Sequence, residues 1–87
     1  MTLSTQQFAV TTTRQIIVTA APSGQRVTVH NNDSGQQVFI GGSDVTISNG
    51  LHVDGKEQKE LTLNPGETLY AIAAGSYTIS VMIQKQD

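Results

Sequence analysis

The sequence predicts an all-β protein, either an antiparallel β-sandwich or a jelly-roll-like barrel of about seven to nine short strands. Three observations predict it. Apolar residues recur at every second position in the best-patterned stretches, which is the period of a strand rather than a helix. Thr, Val and Ile are abundant, and β-branched residues pack well on a pleated surface. Turn-forming residues interrupt the pattern about every ten residues, which leaves no window for a helix.

The 87 residues make one domain, and 37% hydrophobic with 14% charged content excludes a membrane span, a basic nucleic-acid arm and a disordered composition. The net charge of -2 gives no electrostatic reason to bind nucleic acid or an anionic membrane. No cofactor is expected. Met1 to Gln7 has neither the positive charges nor the apolar run of a secretory signal, and there is no cysteine, as fits folding in a reducing cytoplasm. A chain of this size buries only on the order of 8,500 Å² on folding. With 5% aromatic residues and no Trp, its core is thin, so oligomerisation or docking on a larger surface is expected to supplement it.

Residues 1–23 are expected to form an N-terminal arm and the first strands, and residues 24–87 the sandwich core. Thr2 to Gln7 surround a single Leu3 with Thr, Ser and Gln, a composition read as a flexible arm. Phe8 and Val10 share one face of a short strand. Arg14 to Ala20 places Ile16 and Val18 on one face and Ile17 on the other, and a strand apolar on both faces needs cover on both. Phe8, Val10, Ile16, Ile17 and Val18 are therefore the candidate subunit interface. Ala21-Pro22-Ser23-Gly24 has type I turn chemistry. Val27 and Val29 then alternate with polar neighbours, and Asn31 to Gly35 closes that strand with side chains that bond their own backbone.

Val38 and Ile40 alternate around Phe39 until Gly41-Gly42 ends the strand with two residues free to take positive φ. Val45 and Ile47 resume the alternation, and Asn49-Gly50 is the strongest short hairpin signal, requiring positive φ at both central residues of a type I′ turn. Leu51 and Val53 make a short strand ending at Asp54-Gly55. Lys56 to Glu60 mixes charges closely, as suits a strand edge guarded against pairing with other chains. Leu61 and Leu63 lead to Asn64-Pro65-Gly66-Glu67, a type II turn expected to open a hairpin. Leu69 to Ala73 alternates again. Tyr77, Ile79, Val81 and Ile83 form an unbroken apolar stripe and, with Val27, Val29, Val38, Ile40, Leu61 and Leu63, the expected core.

No constellation points to catalysis or a metal. His30 and His52 are the only histidines, so a zinc site would need both together with carboxylates. Asp33, Asp44 and Asp54 all fall in turns, which explains them. Asn31 to Gly35 lacks the alternating carboxylates and closing Glu of a calcium loop. Ser43 has no nearby base. The chain is expected not to be an enzyme.

The succession Val38-Phe39-Ile40-Gly41-Gly42, Val45-Thr46, Ser48-Asn49-Gly50, Pro65-Gly66-Glu67 and Leu69-Tyr70-Ala71-Ile72-Ala73 resembles a family of small structural proteins of tailed-phage virions. The similarity covers roughly Val27 to Ile83, with Gly41, Gly42, Asn49, Gly50, Pro65 and Gly66 as its structural turns. It implies a β-sandwich that decorates the capsid as a minor capsid protein or forms part of another virion appendage. It also implies other virion proteins as partners, the major capsid protein among them, location in the virion after synthesis in the host bacterial cytoplasm, and a homotrimer. The alternative class is a small carbohydrate-binding or adhesin-type module, which would use exposed rings among Phe8, Phe39, Tyr70 and Tyr77 as stacking platforms.

Overall fold

The computed structural model describes residues 2–85; Met1, Gln86 and Asp87, at the ends of the two expected segments, lie outside the described residues. Alternation sets the strands: β1 (Thr2–Val10), β2 (Gln15–Val18), β3 (Gln25–Asn31), β4 (Val38–Gly41), β5 (Leu51–Val53), β6 (Gln58–Leu63), β7 (Leu69–Ala73) and β8 (Tyr77–Lys85). No helix occurs among the described residues. Two four-stranded sheets form, in the orders β1-β8-β3-β6 and β2-β7-β4-β5.

All six pairings are antiparallel: β1 with β8, β2 with β7, β3 with β6 and β4 with β5 along the ribbon, and β3 with β8 and β4 with β7 between its turns. The chain is thus one long ribbon doubled at the β4–β5 tip and rolled into two sheets, the jelly-roll solution to a sandwich. Register puts Val27 opposite Ile83 and Val29 opposite Val81, so the two best-patterned strands lie side by side. Of the expected core, Val27, Val29, Val38, Ile40, Leu63, Ile79 and Val81 are buried, while Leu61 and Ile83 are partly buried against it.

Three expectations are corrected. The polar segment from Thr2 to Gln7 is not a loose arm; it is the first part of β1, in continuous register with β8 from Thr2 opposite Lys85 to Val10 opposite Tyr77. Phe8 and Val10 anchor it to the core, and backbone hydrogen bonds rather than apolar content hold the rest. The doubly apolar β2 is covered by its own domain at Ile17 and Val18 and stays exposed at Ile16. Its register shifts between Ile16 and Val18, so the extra residue turns Ile17 and Val18 both inward and leaves Ile16 outside. The Asn64-Pro65-Gly66-Glu67 turn does form, with Gly66 at φ +86° and the Glu67 N–H donating to the Asn64 carbonyl at 3.1 Å. It does not open a hairpin, because it carries the chain from β6 in one sheet to β7 in the other.

The corner between β4 and β5 differs most. Val45 to Ser48 is not a strand, and neither Asn49 nor Gly50 takes positive φ. Local polar side chains win instead. Asn49 Oδ1 accepts from the Thr46 N–H at 2.7 Å, Thr46 Oγ1 accepts from the Ser48 and Asn49 N–H groups, and the Gly50 N–H reaches the Thr46 carbonyl at 2.9 Å. These bonds close one helix-like turn and satisfy the backbone without a ladder. Val45 is buried as a plug against the sheet. A Cβ on Gly50 would stand 2.8 Å from both Phe39 Cβ and Val45 Cγ2, so the glycine is needed for close approach and not for its dihedral freedom.

Candidate functional site

The chemistry-bearing side chains are spread over opposite outer faces. His30 alternates outward on β3, and its Nδ1 meets Asn32 Oδ1 at 2.8 Å; Ser80 Oγ donates to that same oxygen at 3.2 Å. The hydroxyl thus bonds an amide and not the imidazole, so it has no general base. His52 lies across from Phe39 on the other sheet, and its side-chain partner is Asp54.

His52, Asp54 and Glu57 do converge, which spacing alone did not indicate: their ligand-type atoms lie within 4.8 Å of one another. His52 Nδ1 is 3.1 Å from Asp54 Oδ1, and Gln37 Nε2 donates to that oxygen at 2.8 Å. Glu57 Oε1 accepts from the Asp54 N–H at 3.2 Å and faces Lys59 Nζ at 3.4 Å. The Gln37 hydrogen bond, followed by the His52 imidazole, holds the Asp54 carboxyl below its usual range. With Lys59 beside Glu57 and one oxygen of each carboxylate already bonded, the cluster works as a clasp on the β5–β6 turn.

Asn31 makes the neighbouring end of the sandwich equally tight. Fully buried at the end of β3, it donates to the Gln36 and Val53 carbonyls at 2.8 and 3.0 Å and accepts from the Asp33 N–H at 3.1 Å. Asp33 in turn accepts from the Thr78 N–H at 2.9 Å, which is the work its carboxylate does.

The opposite margin is built differently. There β1 ends one sheet and β2 ends the other, and between them opens a cavity of about 320 Å³. Gln6 and Phe8 of β1, Ile16 and Ile17 of β2, Gln25 of β3 and Ile83 of β8 are among the residues that line it. Gln25 is 1% exposed; its Nε2 donates to the Thr19 carbonyl at 3.1 Å, which fixes the amide orientation, while Oε1 is buried with no hydrogen-bond partner. Sequence reasoning missed Gln25, although its parity with Val27 and Val29 was the available signal: it is a polar residue at an inward position.

Of the five candidate interface residues, Val10, Ile17 and Val18 are buried in the chain's own core. Phe8 is partly buried and Ile16 is 48% exposed, and both line this groove. The turn residues Gly41, Gly42, Asn49 and Gly50 all sit in the β4–β5 corner, and Pro65 and Gly66 at the crossover from β6 to β7. None of the four aromatic rings is fully exposed.

No family model matches the sequence, and no curated protein is similar to it. Among solved structures, the chain is similar in fold to a Bacillus endospore appendage protein of a family described as disulfide-linked pili, with a TM-score of 0.65 at 15% identity over 99% of this chain and 87% of that one. At that identity the likeness is one of fold. The 87 residues contain no cysteine and offer no thiol for such a link.

Proposed function

We propose that this chain is a non-enzymatic structural subunit that acts by assembling with copies of itself and with other subunits. The observation that carries this reading is the margin formed by β1: nine residues of sheet edge, Thr2 to Val10, without one charge or proline. Natural sheets blunt their edges with charges, proline or brevity, because an unpaired row of N–H and C=O groups is a template for another strand. The other margin is blunted in that way, by Lys59 and Glu60 on β6 and by the three-residue length of β5.

The resemblance across Val27 to Ile83 supports a tailed-phage virion as the assembly, with the chain decorating the capsid as a homo-oligomer, a trimer in that family's usual arrangement. The fold likeness to appendage pili favours a second setting, a filament. A carbohydrate-binding role is less favoured, because all four rings are partly buried. Sedimentation of the purified chain, with and without phage capsids, tests the proposal: concentration-dependent assembly or capsid binding supports it, whereas a chain that stays monomeric at high micromolar concentration and does not bind capsids overturns it.

A further inference from the structure

We propose that Asn49-Gly50 is a self-modification site: the fold holds it shut, and it converts irreversibly to an acidic residue when the β4–β5 corner opens. The reactants are the chain's own side-chain amide, the next backbone nitrogen and water. The Gly50 nitrogen attacks Asn49 Cγ, a C–N bond forms in a five-membered imide, and Nδ2 departs as ammonia together with the proton that Gly50 gives up. Water then opens the imide at either carbonyl and leaves aspartate or isoaspartate at position 49. No atom is oxidised or reduced.

Of the four asparagines, Asn49 is the one most open to that attack, because it alone precedes a glycine. Glycine has no side chain to crowd the nitrogen, and its backbone bends freely into the ring conformation. Asn31 and Asn32 precede residues with side chains, and Asn64 precedes Pro65, which has no N–H to give up.

The structure ties down each reacting group. Asn49 Oδ1 accepts from the Thr46 N–H at 2.7 Å, and Asn49 Nδ2 donates to the Asp44 carbonyl at 3.2 Å, which fixes the amide. The Gly50 N–H donates to the Thr46 carbonyl at 2.9 Å, so the nucleophile's proton is held. Thr46 Oγ1 braces the turn by accepting from the Ser48 and Asn49 N–H groups, and buried Val45 packs closely on Gly50 and pins the turn to the sheet. Asp44 and Thr46 to Asn49 are nonetheless exposed, so the turn can open locally while the sandwich stays folded.

Conversion also prevents the corner from closing again. In the product an oxygen replaces Nδ2 and has no proton to donate to the Asp44 carbonyl, and isoaspartate adds a methylene to the backbone between Thr46 and Gly50. Each chain thus carries a one-way record of whether its corner has opened, read as one added negative charge beside Asp44.

The chemistry is slow beside opening and closing, so its rate follows the fraction of chains that are open. Three hydrogen bonds at about fivefold each make the folded chain convert about a hundredfold more slowly than the same chain in concentrated urea at the same pH. Thr46→Ala keeps the backbone groups and removes the Oγ1 brace; it is expected to convert about fivefold to tenfold faster than the parent, with circular dichroism showing an intact sandwich. Ser34→Ala, outside the corner, is expected to convert at the parent's rate. Peptide mapping by mass spectrometry and an isoaspartate assay read the product. Asn49→Asp stands in for the converted chain and is expected to melt several degrees below the parent. A folded parent that converts as fast as the chain in urea, a folded Thr46→Ala that converts at the parent's rate, or an unfolded chain that does not convert overturns the site; Asn49→Asp melting with the parent overturns its one-way character.

Discussion

The two buried amides of β3 face opposite fates. At one end Asn31 has all its hydrogen-bonding groups engaged and stitches β3 to the 33–36 loop and to β5. At the other, Gln25 satisfies its donor and leaves its acceptor without a partner. A buried polar atom costs stability unless it is bonded, so the first end is satisfied by the chain's own groups and the second keeps one oxygen that those groups leave unbonded. The difference separates an end whose buried amide ties the fold together from one whose buried amide does so only through its donor.

The largest expected effect comes from breaking the complete end. Asn31→Ala strands the Gln36 and Val53 carbonyls and the Asp33 N–H, at about 3 kcal/mol, which for a domain of this size lowers the melting temperature by roughly ten degrees or more. Gln25→Met loses one bond to Thr19 but removes an unpartnered oxygen, so its stability is expected to stay within about 1 kcal/mol of the parent. Calorimetry of the two variants decides; equal losses would erase the contrast.

Next in size is Gly50→Val, expected to cost about 2 kcal/mol as its side chain collides with Phe39 and Val45, whereas exposed Ser34→Ala stays within about 0.5 kcal/mol. Gly50→Ala separates the causes. It adds only the Cβ, and since Gly50 does not have positive φ, any loss reports crowding at 2.8 Å and not backbone strain. Chemical denaturation curves in which Gly50→Ala matched the parent would contradict the plug packing of Val45.

These residues also explain how far the sequence could be read. The alternation in β3 and β8 was legible because both strands lie inside one sheet with one face buried, the condition under which period two is cleanest. β1 was not, because only Phe8 and Val10 reach the core while Ser4 and Gln6 line the groove and the alternate residues are exposed, so its composition looks like that of a loose arm. The Asn49-Gly50 signal misled because Thr46 and Asn49 side chains offered the backbone a better local set of bonds than a second strand. The His52, Asp54 and Glu57 cluster depends on the turn that folds β6 away from β5, which spacing alone does not reveal. The groove was invisible for the same kind of reason: it exists only where two sheet margins face each other.

The smallest effect concerns the clasp at Asp54. Its lowered pKa means that the folded state holds the proton less tightly than the unfolded chain, so its contribution is present above the unfolded value, near 3.8, and fades as pH falls through the folded one. Gln37→Ala removes the main cause of the shift. The stability gap between parent and Gln37→Ala is therefore expected to be small near neutral pH and to narrow below about pH 4; acid titration followed by fluorescence of the two tyrosines reads it. A gap that widens on acidification would reverse the assignment.

Sedimentation velocity of the unaltered chain across a range of concentration separates the proposed self-assembling subunit from a chain that stays single. The prediction is a species that grows from the 9.3 kDa monomer as concentration rises. A single 9.3 kDa boundary at every concentration would contradict it.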